Sequence, residues 1–430
     1  MSEILDWSAA DEAQRNAMLA RPARRSDGAM TARVASIADE VASGGWDALC
    51  RIARDVDGVA PVAVEVAPEA RKARGTLPAN AIAAIELARR NIDRFHRVAI
   101  PRTTTVETMP GVTVTKRWVP LDRVGLYVPG GRAPLFSTLL MLALPARCAG
   151  VGELVCVTPP RQGGGLDPAI AFAAELAGIE RIWTVGGAQA IAAMAFGAGD
   201  IPAVDLVCGP GNAWVAAAKA MVAARPGGPA LDLPAGPSEL MVIADGKADP
   251  RIVAADLLSQ AEHDADAQAI LVSTDRAFAE AAMRQVGEQA RAMGGGFAPV
   301  RALTCADLDE AALIANAYAP EHLSLALGDK SAERVAERIT NAGAIFVGRA
   351  AAETLGDYLA GSSHVLPTDG AARHSGGITV HSFMKTISVQ RVTDEAAREL
   401  AAPAATLARL EGLEAHARAA EARAMAEPVS

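Results

Sequence analysis

The sequence has no run of five or more like charges, and its 41 basic and 50 acidic side chains leave a net charge of −9 over 430 residues. A nucleic-acid surface or an anionic membrane partner would call for a basic stripe, so neither is expected; a small neutral or cationic ligand suits this balance better. Nor does any apolar stretch approach the roughly 18 residues of a membrane span. The N-terminus, Met1-Ser2-Glu3-Ile4-Leu5-Asp6, lacks a basic region followed by an apolar core, and a cytoplasmic location is therefore expected. Five cysteines, Cys50, Cys148, Cys156, Cys208 and Cys305, are scattered without a Cys-x-x-Cys pair. They fall mostly in apolar segments, where packing is their expected role. There is no repeat of fixed period and no long Gly/Ser- or Pro-rich linker.

What is present is a hydrophobic content of 51%, enough for a large core, and a length that suggests roughly two to four structural units. Residues 30–56 and 79–98 have helical periodicity, the second carrying His96 on what reads as a basic, solvated face. Val112-Thr113-Val114-Thr115 alternates like a strand, and Gly125-Leu126-Tyr127-Val128 runs into the turn Pro129-Gly130-Gly131. From 135 to 243, β-branched runs at 153–158, 181–185, 204–208 and 240–244 alternate with Ala-rich helical stretches near 167–177, 188–197 and 211–224. A second series follows, with helices at 249–262, 276–293 and 306–317 and strands at 268–273, 299–303 and 343–347. Strands alternating with helices imply parallel pairing and an α/β fold with open sheets. The two series should pack together, with a ligand site in the cleft between them. Residues 395–426 are helical in spacing, and the stripe Leu400, Leu407, Leu410 and Leu413 needs a partner surface, either the chain's own body or a second copy.

Two constellations stand out chemically. In Ser259-Gln260-Ala261-Glu262-His263-Asp264, a helix over 249–263 would put an amide oxygen and an imidazole three residues apart on one face, where both can reach one ion. In Ala319-Pro320-Glu321-His322-Leu323, a carboxylate and an imidazole follow a proline that fixes the backbone, and both groups titrate in the range useful for proton transfer. Each has a plain structural reading as well, a polar helix end in the first case and a helix cap in the second. Two glycine turns, Val185-Gly186-Gly187-Ala188-Gln189 and Cys208-Gly209-Pro210-Gly211-Asn212, would open helices whose free N–H groups suit a phosphate. Neither matches G-x-G-x-x-G, and tight strand-to-helix turns explain them equally well. Pro234-Ala235-Gly236-Pro237-Ser238-Glu239 is a rigid bend that can present Ser238. His364, His374 and His381 lie in a loop-rich tract.

Taken together, these segments resemble the histidinol dehydrogenase family over about 110–420. The likeness is carried by Arg123-Val124-Gly125-Leu126-Tyr127-Val128-Pro129-Gly130-Gly131, Val207-Cys208-Gly209-Pro210-Gly211-Asn212 and Leu231-Asp232-Leu233-Pro234-Ala235-Gly236-Pro237-Ser238-Glu239. It continues in Gln260-Ala261-Glu262-His263-Asp264, Tyr318-Ala319-Pro320-Glu321-His322-Leu323, Gly356-Asp357-Tyr358 and Ser363-His364-Val365-Leu366-Pro367-Thr368. The resemblance implies zinc- and NAD-dependent oxidation of L-histidinol to L-histidine in two steps through an aldehyde, late in histidine biosynthesis. Gln260, His263, Asp357 and His416 would hold the zinc, and Glu321 and His322 would be catalytic. Ser238, Gln260, His263, Glu321, His322, Asp357, Glu411 and His416 would form the substrate site, and Tyr127, Gln189 and Asn212 the NAD site. The implied fold is a pair of incomplete, aldehyde-dehydrogenase-like Rossmann units in a homodimer. Its parts would be an N-terminal helical segment (1–25), a discontinuous α/β domain (26–125 with 240–380) carrying most zinc and catalytic residues, an NAD-binding domain (126–239) and a tail (381–430). That tail would cross to the partner subunit, so that Glu411 and His416 complete the neighbour's site.

Residue chemistry agrees with this assignment. Zinc held by one amide, two imidazoles and one carboxylate keeps a net positive charge, suited to orienting the nitrogens of histidinol. A neutral His322 could take the hydroxyl proton, and Glu321 could activate the water that hydrates the aldehyde. No cysteine lies in a reactive context, which argues against a thiohemiacetal. The chain departs from the family pattern at Trp214, at His381-Ser382-Phe383 and in Arg373-His374-Ser375-Gly376-Gly377-Ile378, and its first hundred residues match only loosely. Two other readings are a paralogue that oxidises another small amino alcohol or a sulfonated diol, and a non-catalytic α/β binding protein.

Overall fold

The computed structural model describes residues 4–22, 28–130, 134–233 and 236–425. Gly131 of the turn Pro129-Gly130-Gly131 and Pro234 and Ala235 of the proline bend lie outside the described residues. The α/β expectation holds, with two open six-stranded sheets, but the strand Glu239–Ala244, which ends the first series in sequence, belongs to the second sheet.

The first sheet runs, edge to edge, through Ala63–Glu65, Arg181–Thr184, Glu153–Thr158, Arg123–Tyr127, Leu206–Cys208 and Ala230–Leu231. Only the Ala63–Glu65 edge is antiparallel. Helices such as Phe136–Ala149 and Gly187–Phe196 pack against this sheet, which is why its central strands are apolar on both sides; Val155, Cys156 and Val157 are fully buried. The strand Arg123–Tyr127 has Glu153–Thr158 on one side and Leu206–Cys208 on the other. The chain thus reverses its direction of winding there, and a crevice opens beyond the carboxyl ends of the two strands. The strands approach so closely that Gly209 (φ +117°) admits no side chain, since a Cβ would lie 2.0 Å from the Tyr127 carbonyl oxygen.

The second sheet is wholly parallel, in the order Ile4–Asp6, Val300–Thr304, Gln268–Ser273, Glu239–Ala244, His322–Ala326 and Ala344–Val347. Its helices begin at aspartate caps, Asp249, Asp275 and Asp307, whose carboxylates accept from the first turn; each cap contributes about 1 kcal/mol. The expected 249–263 helix is Pro250–Ala261, so Gln260 sits in its last turn while His263 lies just beyond it. The strand His322–Ala326 does not emerge from the sequence pattern because all five residues are buried and no alternation marks it. The N-terminal segment contains the edge strand Ile4–Asp6 as well as the helix Glu12–Met18. His96 is not solvated. It continues the inward stripe Ile85, Ala88 and Ile92 of the helix Ala79–Val98 and is fully buried, which pushes its pKa down to about 4.

A separate compact unit comprises residues 100–120 and the chain from 384 onward. In it Met384–Val392, Val112–Pro120 and Thr104–Met109 form an antiparallel sheet, followed by the helices Asp394–Leu410 and Glu414–Ala424. Among the described residues nothing covers the end of the leucine stripe: Leu400 is half-buried, but Leu407 is 64% and Leu410 79% exposed. Among the described residues no helix is long and apolar enough to cross a membrane.

Candidate active site

The helix Leu308–Tyr318 ends at Ala319, whose left-handed backbone (φ 56°) turns the chain through Pro320 and delivers Glu321 and His322 to the amino end of their strand. Both side chains are almost wholly buried. One peptide group holds them: the Glu239 N–H donates to Glu321 Oε2 (2.9 Å), and the Glu239 carbonyl lies 3.2 Å from His322 Nδ1. With Nδ1 donating to that carbonyl, Nε2 is left facing Asp357 Oδ1 at 3.4 Å. Glu353 Oε1 and Glu321 Oε2 lie 3.6 and 3.7 Å from Nδ1, and the Phe346 ring stacks on the imidazole.

Burial disfavours the His322 cation, yet the surrounding carboxylates of Glu321, Asp357 and Glu353 outweigh it and push the imidazole up to about 10. Burial raises Glu321 to about 7 and Glu353 to about 8, with His322 pulling both back. Asp357 is also buried, but its hydrogen bond to His322 holds it below the ordinary carboxylate range. A buried imidazole among three acids is a store of protons rather than an ordinary ion pair.

A cavity of about 210 Å³ opens on this cluster. Its walls include Gly209, Pro210 and Gly211 beyond the first sheet's carboxyl ends, and Ser238, Glu321 and His322 at the second sheet's amino ends; His263, Asp357 and His364 also line it. The cleft between the two series of elements is therefore where chemistry-bearing side chains converge. Gln260 is fully buried, and neither its amide oxygen nor its amide nitrogen has a partner, the mark of a polar group built for something besides packing. An amide oxygen, an imidazole and a carboxylate form a donor set that zinc accepts. His322, Glu353 and Asp357 also bring ligand atoms within 4.8 Å of one another. A cation bound there would occupy the imidazole that the proton chemistry requires.

Tyr127 is buried at the end of its strand and Gln189 in the first turn of the helix Gly187–Phe196. The Gly187 N–H donates to the Tyr127 hydroxyl (3.2 Å), and the Gln189 amide donates to Asp57 (3.0 Å). The Asn212 side-chain oxygen caps the helix Ala213–Ala223, leaving its amide nitrogen to donate elsewhere. Beneath the Gly209 turn a buried ion pair fixes the backbone: Lys219 bonds to Asp232 and to the Gly209 carbonyl, and Asp232 accepts the Gly209 N–H (2.7 Å). Of these groups Gly209, Lys219 and Asp232, with Pro210 and Gly211, line the cavity at the winding reversal, where open α/β sheets place their ligands. Glu411 and His416 are exposed residues of the separate C-terminal unit, Glu411 ending one of its helices and His416 lying on the next.

Sequence reasoning missed Glu353, the holding role of the Glu239 peptide, and His364, which bonds to the Thr138 hydroxyl and the Asp357 carbonyl at 3.0 Å each. One signal for Glu353 was available, since it stands four residues before Asp357 on a short helix that passes into a π-helical turn, Gly356–Ala360.

Residues 19–424 match the model of the histidinol dehydrogenase family. The chain is 44% identical over 428 residues to a histidinol dehydrogenase of Xylella fastidiosa (strain 9a5c), covering 98% of this chain and 99% of that protein. It is 41% identical over 430 residues to one of Legionella pneumophila subsp. pneumophila (strain Philadelphia 1), with 98% and 99% covered. The crystal structure of histidinol dehydrogenase from Elizabethkingia anophelis matches with a TM-score of 0.92 at 35% identity, covering 98% of each chain.

Proposed function

The chain belongs to the histidinol dehydrogenase family, and from that premise we propose that this oxidoreductase converts L-histidinol to L-histidine in two NAD-dependent steps through histidinaldehyde, in the cytoplasm, in histidine biosynthesis. The observation that carries the reading is the buried Glu321–His322 pair, held by one peptide beside the unpaired amide of Gln260.

Gln260, His263 and Asp357 would hold a zinc ion, with His416 as fourth ligand; bound there, zinc would supply positive charge to anchor the amine and imidazole nitrogens of histidinol. Ser238 and Glu411 complete the grip on the substrate, and Tyr127, Gln189 and Asn212 line the dinucleotide site. The bare Leu407 and Leu410 support a homodimer in which a second copy covers them and exchanges Glu411 and His416. His322, keeping its Nδ1 proton on the Glu239 carbonyl, takes the hydroxyl proton at Nε2; NAD, when bound, would supply the hydride acceptor. Glu321, raised to about 7, removes a proton from the water that adds to the aldehyde. His322 returns its first proton to the aldehyde oxygen as the hydrate forms and, neutral again, accepts the hydrate's hydroxyl proton at Nε2 during the second transfer. No thiol takes part, because burial raises Cys156 and Cys305 to about 12, holds Cys208 well above the usual thiol range, and raises Cys50 and Cys148 as well.

Zinc-loaded protein given L-histidinol and excess NAD should form two NADH for each histidinol consumed, and prior treatment with iodoacetamide should not change the rate. Negligible NADH from histidinol, with turnover of a sulfonated diol or another amino alcohol, would instead establish the paralogue reading.

The base must be neutral to act, so turnover should fall on the acid side as His322 gains its proton. Each neighbouring carboxylate raises the imidazole and moves that limb to higher pH. Glu353→Gln removes one of them, and the acid limb of the kcat profile should move to lower pH; an upward move would count against this electrostatic assignment.

A further inference from the structure

We propose that Arg21, some 300 positions before the proton-carrying pair, is the residue that positions it. The inference rests on the reading above that Glu321 and His322 move the protons. Because the Glu239 peptide grips Glu321 through its N–H and His322 through its carbonyl, anything that fixes residue 239 fixes both. The Glu239 carboxylate is itself 1% exposed and lies in a two-pronged bond with Arg21: Nε to Oε1 at 2.5 Å, Nη2 to Oε2 at 2.8 Å. This fork geometry holds direction as well as distance. The Asp369 N–H adds a third bond to the same carboxylate at 3.0 Å.

Arg21 also holds the other approach to the pair. Its Nη2 donates to the carbonyls of Tyr318 (2.9 Å) and Ala319 (3.3 Å), and its guanidinium lies 3.9 Å over the Tyr318 ring. Ala319 carries the left-handed backbone from which Pro320, Glu321 and His322 issue, a conformation that a non-glycine residue keeps only when its surroundings enforce it. One guanidinium thus ties together the start of the Glu239–Ala244 strand and the turn leading into the His322–Ala326 strand. These are the two segments that must stay in register for Glu321 and His322 to share one peptide. A buried ion pair seldom adds net stability over apolar packing of equal shape; what this one supplies is placement. Misplacing a catalytic group by about 1 Å can cost on the order of 100-fold in rate.

The test uses full-length, zinc-loaded protein carrying Arg21→Met or Arg21→Lys, with melting temperatures to confirm folding. Arg21→Met should lower kcat tenfold or more, while KM for histidinol and for NAD stays within threefold. Arg21→Lys, which keeps the charge but not the fork, should recover part of that loss. Because Arg21 acts through the pair, adding Arg21→Met to His322→Asn should cost no further rate. A smaller fall in kcat, a loss carried by KM, or losses that multiply in the double variant would overturn the proposal. Should Arg21→Met fail to fold, Glu239→Gln replaces it under the same criteria. A substrate-independent reading comes from the ring nitrogens of His322 in ¹⁵N-histidine-labelled protein, where the Nδ1 resonance, set by its contact with the Glu239 carbonyl, should shift in Arg21→Met. If the unaltered enzyme leaves histidinol untouched, the functional reading falls, and an unchanged His322 spectrum in the variant overturns the positioning role independently.

Discussion

His322→Asn should lower kcat by about 100- to 10,000-fold, the range that a positioned general base supplies, with a much smaller effect on KM for histidinol. Asparagine is close enough in volume to keep the contact with Phe346 and can still donate to the Glu239 carbonyl, so the change removes basicity at the Nε2 position more than it disturbs shape. Both hydride transfers should suffer, since the same nitrogen takes a proton in each. Single-turnover kinetics starting from histidinol and from histidinaldehyde check this. A variant that retained more than a tenth of the wild-type rate in both phases would move the base elsewhere, Glu321 being the other candidate within reach.

Gln260→Leu should have two opposite effects. Gln260 is fully enclosed with neither end of its amide bonded, a state that costs about 1–3 kcal/mol for an unpaired polar group. Leucine fills nearly the same space without that penalty, so the metal-free variant should unfold at a higher temperature than metal-free wild type. Zinc affinity should fall at least 100-fold, because even indirect partners of metal ligands are worth about 10- to 100-fold, and turnover should fall with it. Calorimetric unfolding and competition with a chelator of known zinc affinity measure the two effects separately. Lower stability in the metal-free variant, or undiminished zinc binding, would mean that the amide serves the fold and not the ion.

The sequence made the two sheets legible because alternating short apolar strands and Ala-rich helices have no other common packing. Gln260, His263, Glu321 and His322 were visible as chemistry because each pair is local: amide and imidazole three residues apart, acid and imidazole adjacent. What stayed hidden is what depends on long-range contact. Nothing around residue 21 indicates that its guanidinium meets Glu239, and nothing around 239 indicates that its main chain serves residues 321 and 322. His96 misled for a related reason: basic neighbours on the helix implied a wet face, while the spacing of Ile85, Ala88 and Ile92 already pointed its ring inward. The strand His322–Ala326 escaped because a fully buried run of five residues carries no periodic signature.

The edge strand Ile4–Asp6 lies beside Val300–Thr304, which sets an order of events during synthesis. Once made, residues 4–6 have no berth until roughly three hundred more have been added, about 15 to 60 s at ordinary elongation rates of 5–20 residues per second. Through that interval the strand stays unpaired, and Arg21 waits with it. The sheet built from residues 63–231 can close much earlier, so a nascent chain should form the glycine-lined crevice at its winding reversal well before Glu321 and His322 are locked in place.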